Sequence, residues 1–146
     1  MNYNEWIDKL NIIESTRRNT QVLEELEKEE INSNFDKQLS DRIQKVIIAK
    51  LKKVIKKTKR DISMLKKDSN ALELIINNFK KDLLYIRRIT LLKQLNEETR
   101  LYYLNQIYLV NEETFNLIED ESLKIDDSGI YKQIIKRKRI KKDEIL

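Results

Sequence analysis

The chain's densest charge is a run of cations: seven of the eleven residues from 50 to 60 are Lys or Arg. Spacing decides what chemistry they could do. On a helix, with a residue about every 100°, Lys52, Lys56, Lys59 and Arg60 fall close together, and Lys50, Lys53 and Lys57 form a second ridge. Cations along one face can neutralise neighbouring phosphates and release their counterions, which makes binding salt-sensitive. No aromatic residue lies among them, so base stacking is not indicated, and a weak contact with DNA would run through the backbone. The competing reading is a solvated helix face. A second basic run, Lys136-Arg137-Lys138-Arg139-Ile140-Lys141-Lys142, reads as a disordered basic tail, with nucleic-acid contact as the lesser reading.

The other reactive side chains offer less. Carboxylates gather at Glu24, Glu25, Glu27, Glu29 and Glu30, and again at Glu119, Asp120 and Glu121. They lack the Glu-x-x-His pattern of helical di-metal sites and the glycine-bearing loop of an EF-hand, so they read as solvated acidic faces and no metal is expected. The chain has no cysteine and no histidine. Disulfides, thiolate zinc sites, imidazole bases and the usual Ser–His or Cys–His nucleophile systems are therefore excluded. A single glycine, Gly129, leaves no phosphate-cradling loop and no dinucleotide fingerprint. No cofactor and no enzymatic activity are expected.

The elements that must carry these residues are helices. There is no proline, and no glycine precedes Gly129, which is unusual against average usage and argues for long helices joined by short polar turns. The chain is 40% hydrophobic and 38% charged, with a net charge of +5, a pairing that suits amphipathic helices with strongly solvated outer faces. No apolar run approaches the length of a membrane span, and residues 1–10 show no signal-like stretch.

Five helices are expected, over residues 4–18, 22–31, 35–67, 71–95 and 96–119. In the first, Trp6, Leu10 and Ile13 form an i, i+4, i+7 stripe. Asn19-Thr20 reads as a turn or cap. Ser33 is placed to cap the third helix with Asp36 in its first turn, Asn70 the fourth with Glu73 three residues on, and Asn96 the fifth ahead of Glu97 and Glu98. Asn111 is a candidate break in the fifth. The fourth is apolar nearly all round: Leu72, Ile75, Ile76, Phe79, Leu83 and Ile86 on one side, with Leu84, Tyr85, Ile89, Leu91 and Leu92 widening the zone. Such a helix is buried on several sides, either as the central core helix of the monomer or against a partner subunit. Arg87 and Arg88 sit inside this girdle and need a carboxylate or carbonyl partner, which makes a structural ion pair the first reading and anion binding the second.

The segment Asp82-Leu-Leu-Tyr-Ile-Arg-Arg-Ile-Thr-Leu-Leu-Lys93, followed by Leu95-Asn-Glu-Glu98 and Leu101-Tyr-Tyr103, resembles the helical A domain of GINS subunits, replication factors of archaea and eukaryotes. Leu83, Ile86, Arg87, Leu92 and Glu97-Glu98 occupy places comparable to the family's "L-x-x-I-R-x-x-K-I" and "L-(T/S)-x-E-E" patterns, and Leu23, Leu26 and Phe35 resemble its entry to the long helix. The likeness spans residues 1–120; residues 121–146 are too few for the family's small β domain and read as a linker and basic tail. The resemblance implies an all-α, elongated bundle of about five helices that works by assembly. It implies a two-plus-two heterotetramer with a second GINS-type subunit, contact with the MCM helicase and a RecJ-like protein, and a place in the cytoplasm at the nucleoid, or in the nucleus of a eukaryote. Phe79, Leu83, Ile86, Arg87 and Tyr103 would be core or interface positions, with the girdle sealed by another polypeptide. The alternatives are a basic helical nucleic-acid-binding protein using Lys52, Lys56, Lys59 and Arg60, and a helical adaptor or coiled-coil structural protein.

Overall fold

A computed structural model describes residues 1–65, 68–126 and 128–146. Every regular element among them is a helix: α1 (Tyr3–Ser15), α2 (Thr20–Glu27), α3 (Asp36–Ser63), α4 (Ser69–Thr90), α5 (Glu97–Leu123), α6 (Ile130–Lys138) and α7 (Lys142–Ile145). The chain is all-α. No helix among the described residues is long and apolar enough to cross a membrane.

Asparagine and aspartate set most of the starts. The side chains of Asn2, Asn19 and Asn96 accept from the N–H groups of Glu5, Val22 and Thr99, which satisfies donors that the first turn leaves unpaired. Two caps differ from the sequence expectation. Helix α4 is capped by Asp68, which accepts from Asn70 N, two residues before the expected Asn70. Ser33 does not cap α3; instead Asp36 Oδ2 reaches back to accept from Asn32 N at 2.6 Å. At α4 a charged carboxylate at the positive helix end takes the place assigned to a neutral side chain, whereas α3 starts at Phe35 with no side-chain cap. The expected end of the third helix at Lys67 lies outside the described residues, as does Asp127. Asn111 does not break α5: it is fully buried, and its Nδ2 donates to Ile140 O across the fold.

Helix α3 is the hub. It packs on α1, α4 and α5; α4 and α5 pack on each other; α6 lies on both. Its stripe Leu39, Ile43, Val46, Ile47, Leu51, Val54 and Ile62 faces one core cluster that runs from Trp6 to Ile145. Phe79 and Phe115 meet edge to face at 5.6 Å in this core, joining α4 to α5.

The girdle on α4 is closed by the chain itself. Leu83, Tyr85, Ile86, Ile89 and Leu92 are all buried, and only Leu91, at 39% exposure, keeps a substantial open face on that stretch. The expectation that a second polypeptide seals this zone is therefore corrected. Helices α3 and α5 supply much of the cover, and the rest comes from the segment read as a disordered tail. Tyr131, Ile134, Ile135, Ile140 and Ile145 are buried in the common core, and Arg87 Nε donates to Ile145 O at 2.8 Å. The Lys and Arg residues interleaved with these isoleucines masked an amphipathic helix. Gly129, at φ 79°, supplies the left-handed residue that turns the chain into α6, and its N–H is held by Asp126. If the segment is part of the core, Ile135→Ala will lower unfolding stability by about 2–4 kcal/mol. A urea titration checks this, since the same change in a solvated tail would be worth under about 0.5 kcal/mol.

Candidate anion-binding site

The site is built where α1 ends. Its last turn carries no basic residue; Ile12 O accepts locally from Thr16 and Ser15, while the carbonyls of Ile13, Glu14 and Thr16 take side-chain donors from another helix. Two lysines arrive from α3. Lys50 Nζ donates to Ile13 O at 2.6 Å and Thr16 O at 2.8 Å, and Lys53 Nζ donates to Glu14 O at 3.0 Å. Lys50 is only 5% exposed and sits 5.5 Å from the centre of the Tyr85 ring. Burial, aided by the charge of Lys53, lowers its pKa to about 8, against the opposing pull of Asp82 and Glu14. Glu14 itself is held below its ordinary range, chiefly by the hydrogen bond from Arg42.

The link that follows is tied to α4. Asp82 is buried and accepts from Arg17 Nε at 3.2 Å, Arg17 Nη2 at 3.0 Å and Arg18 Nη1 at 2.5 Å. A buried carboxylate is tolerated because both of its oxygens are satisfied by cations. The hydrogen bond to Asp82 raises the pKa of Arg17. Tyr85 Oη, donating to Asn19 O at 2.9 Å, fixes the same link from one turn further along α4.

Between these anchors lies a cleft of about 360 Å³. Ser15, Thr16 and Arg17 form one wall, Lys50, Lys53, Val54, Lys56, Lys57 and Arg60 of α3 another, and Asp82 and Ile86 of α4 the third. Six of these residues are cationic and one is acidic, and that one is already neutralised by two arginines. Lys57 is paired with Asp61 at 2.6 Å. Lys56 and Arg60 are exposed and have no carboxylate partner among the described residues; neither have Lys52 and Lys59, which continue the same face of α3 outside the cleft. The site is therefore electropositive, concave and open to anions.

The predicted residues divide accordingly. Lys56 and Arg60 line the cleft, and Lys52 and Lys59 flank it. Lys50 and Lys53, read from sequence as part of a second basic ridge, are committed to the end of α1. Phe79, Leu83 and Tyr103 are buried away from it, and Ile86 reaches its floor. Tyr103 Oη and Gln44 Oε1 are hydrogen-bonded at 3.1 Å, between α5 and α3. Arg87 is half-buried on the Ile145 carbonyl, and Arg88 pairs with Glu27. Sequence reasoning missed Arg17 and Asp82; the available signal was a lone carboxylate, Asp82, at the edge of the apolar run 83–92. No group of metal-binding side chains occurs among the described residues. The chain matches no protein-family model, no curated protein and no solved structure.

The buried lysine gives a signed pH effect. Its folded pKa of about 8 lies below the ordinary 10.5, so between those values the unfolded chain holds more protons than the folded one. Stability from this group is complete above pH 10.5 and is lost as pH falls to 8. Against a Lys50→Met variant, the wild-type chain should gain on the order of 3 kcal/mol across that window, as read by urea unfolding at stepped pH.

Proposed function

We propose that this chain is a non-catalytic, helical nucleic-acid-binding module that grips the phosphate backbone with α3. One observation carries the reading. Lys52, Lys56, Lys59 and Arg60 stand exposed on one helix face without carboxylate partners among the described residues, beside a cleft whose single carboxylate is already spent. Elsewhere on the surface arginines are used up in ion pairs, such as Arg42 with Glu14, Arg88 with Glu27 and Arg139 with Glu112. Cations left unpaired on one side supply a sequence-independent attraction to phosphate. The absence of an aromatic side chain among the cleft-lining residues fits backbone contact without base stacking.

Fluorescence anisotropy with a labelled single-stranded oligonucleotide tests this. Four phosphate contacts predict a plot of log affinity against log salt with a slope of roughly −3. The triple charge reversal Lys52→Glu, Lys56→Glu and Arg60→Glu should weaken binding at least about tenfold, more than 1.4 kcal/mol, with an unchanged helical spectrum. Absence of binding at low salt removes the reading.

A second reading is favoured by a different surface. Helix α5 turns Leu101, Tyr102 and Leu109 outward, at 57%, 57% and 49% exposure, on one side of the helix. An apolar stripe of this kind suits assembly with another helical subunit. It supports the GINS-like alternative, a replication scaffold joining a second GINS-type subunit, MCM helicase and a RecJ-like protein, with the contact moved from α4 to α5. That reading predicts concentration-dependent association in native mass spectrometry, abolished by Leu101→Glu with Leu109→Glu. A strictly monomeric chain that ignores a GINS-type partner would count against it.

A further inference from the structure

We propose that the cleft beside α3 is the seat for a terminal phosphate of a nucleic-acid strand, with Lys52 and Lys59 holding the nucleotides that follow. This inference rests on the backbone-binding reading and specifies what part of the strand the concave portion takes.

Shape separates the two parts of the cationic surface. Lys52 and Lys59 lie on the outer face of α3, seven residues and about 10 Å apart along the axis. A strand can run past them without bending. The cleft is different: about 360 Å³, closed on three sides by the end of α1, by α3 and by α4. That volume sits at the small end of ligand pockets. A continuous backbone would have to fold into it and out again, whereas a strand end enters directly.

Charge points the same way. A terminal phosphomonoester carries about −1.5 to −2 charges and three free acceptor oxygens, against −1 for an internal diester. The cleft offers donors for each oxygen. Lys56 and Arg60 have no carboxylate partner among the described residues. Arg17 spends one N–H from Nε and one from Nη2 on Asp82, and Nη1 has no such bond. Asp82 thus presents Arg17 to the cleft in a fixed orientation and, being doubly neutralised, adds little repulsion. The floor is Val54 and Ile86, an aliphatic surface suited to the first sugar and of little use to a bare ion.

The test compares oligothymidylates labelled at the 3′ end and carrying either a 5′-phosphate or a 5′-hydroxyl, by anisotropy at moderate salt. The phosphorylated strand should bind about tenfold tighter, the effect of a few added charge-assisted contacts. Lys56→Gln with Arg60→Gln should erase the preference. Ser15→Trp, at an exposed position on the cleft wall, should also erase it by filling the space. Lys52→Gln with Lys59→Gln should weaken both strands and leave the ratio intact. Equal affinity for the two strands, with salt-dependent binding preserved, overturns the end-seat and leaves backbone binding standing. A preference that survives Ser15→Trp also overturns it. If neither strand binds, the backbone reading fails and the end-seat with it.

Discussion

The structure depends on how one unfinished helix end is completed. Helix α1 stops with no cation in its last turn, and its carbonyls at Ile13, Glu14 and Thr16 take their donors from Lys50 and Lys53, more than thirty residues away. The exchange serves both sides. A buried ammonium is costly unless oxygens surround it, and terminal carbonyls are costly unless donors reach them. Because the bonds are directional, they set where α1 ends relative to α3. The chain then leaves α1 through Arg17 and Arg18, which close on Asp82 of α4. Three helices are fixed by one cluster of polar contacts, and the cleft is the space those contacts enclose.

Much of the helical framework was legible because its signals are local. The i, i+3, i+4 stripes of α1 and α3, and the Asn19 and Asn96 caps, depend only on residues a few positions apart. Two features were not local. Whether α4 hides its girdle depends on what arrives from residues 130–146, and there the apolar signal, Ile134, Ile135, Ile140 and Ile145, is diluted by seven cations between residues 132 and 142. Lysine and arginine stems can line an apolar surface with their charges in water, so a basic composition does not exclude a packed helix. Arg139 shows this directly: it lies 5.6 Å from the centre of the Phe115 ring while pairing with Glu112.

The candidate site was half legible for the same reason. Helical spacing alone groups Lys52, Lys56, Lys59 and Arg60 on one face. Spacing cannot say which lysines of the run are free, because that depends on acceptors brought by other helices; Lys50 and Lys53 look identical to Lys56 in sequence and differ only in meeting α1. Nor could it pair Arg17 with Asp82 across 65 residues. The likeness to GINS subunits rests on the pattern of Leu83, Ile86, Arg87 and Leu92, and in this fold that pattern coincides with α4 packing into its own core and with Arg87 holding the carbonyl of Ile145. A motif made of burial periodicity plus one arginine is reproduced by any helix enclosed in this way.

The cationic and apolar surfaces need not compete. Tyr103 meets Gln44, so the first half of α5 lies against the first half of α3, whereas the cleft is lined by residues 50–60 of α3, beyond that contact. Helix α5 carries Glu97, Glu98, Glu112, Glu113, Glu119, Asp120 and Glu121 against a single arginine, Arg100. Its field is opposite in sign to that of α3. On the proposed reading, separation of charge along the fold would orient a polyanion toward the cleft and away from the Leu101–Leu109 side before any contact forms. A protein partner on α5 and a strand on α3 would then be sorted by electrostatics as well as by shape, with the polar contacts at Lys50 and Asp82 keeping the cleft's three walls in register.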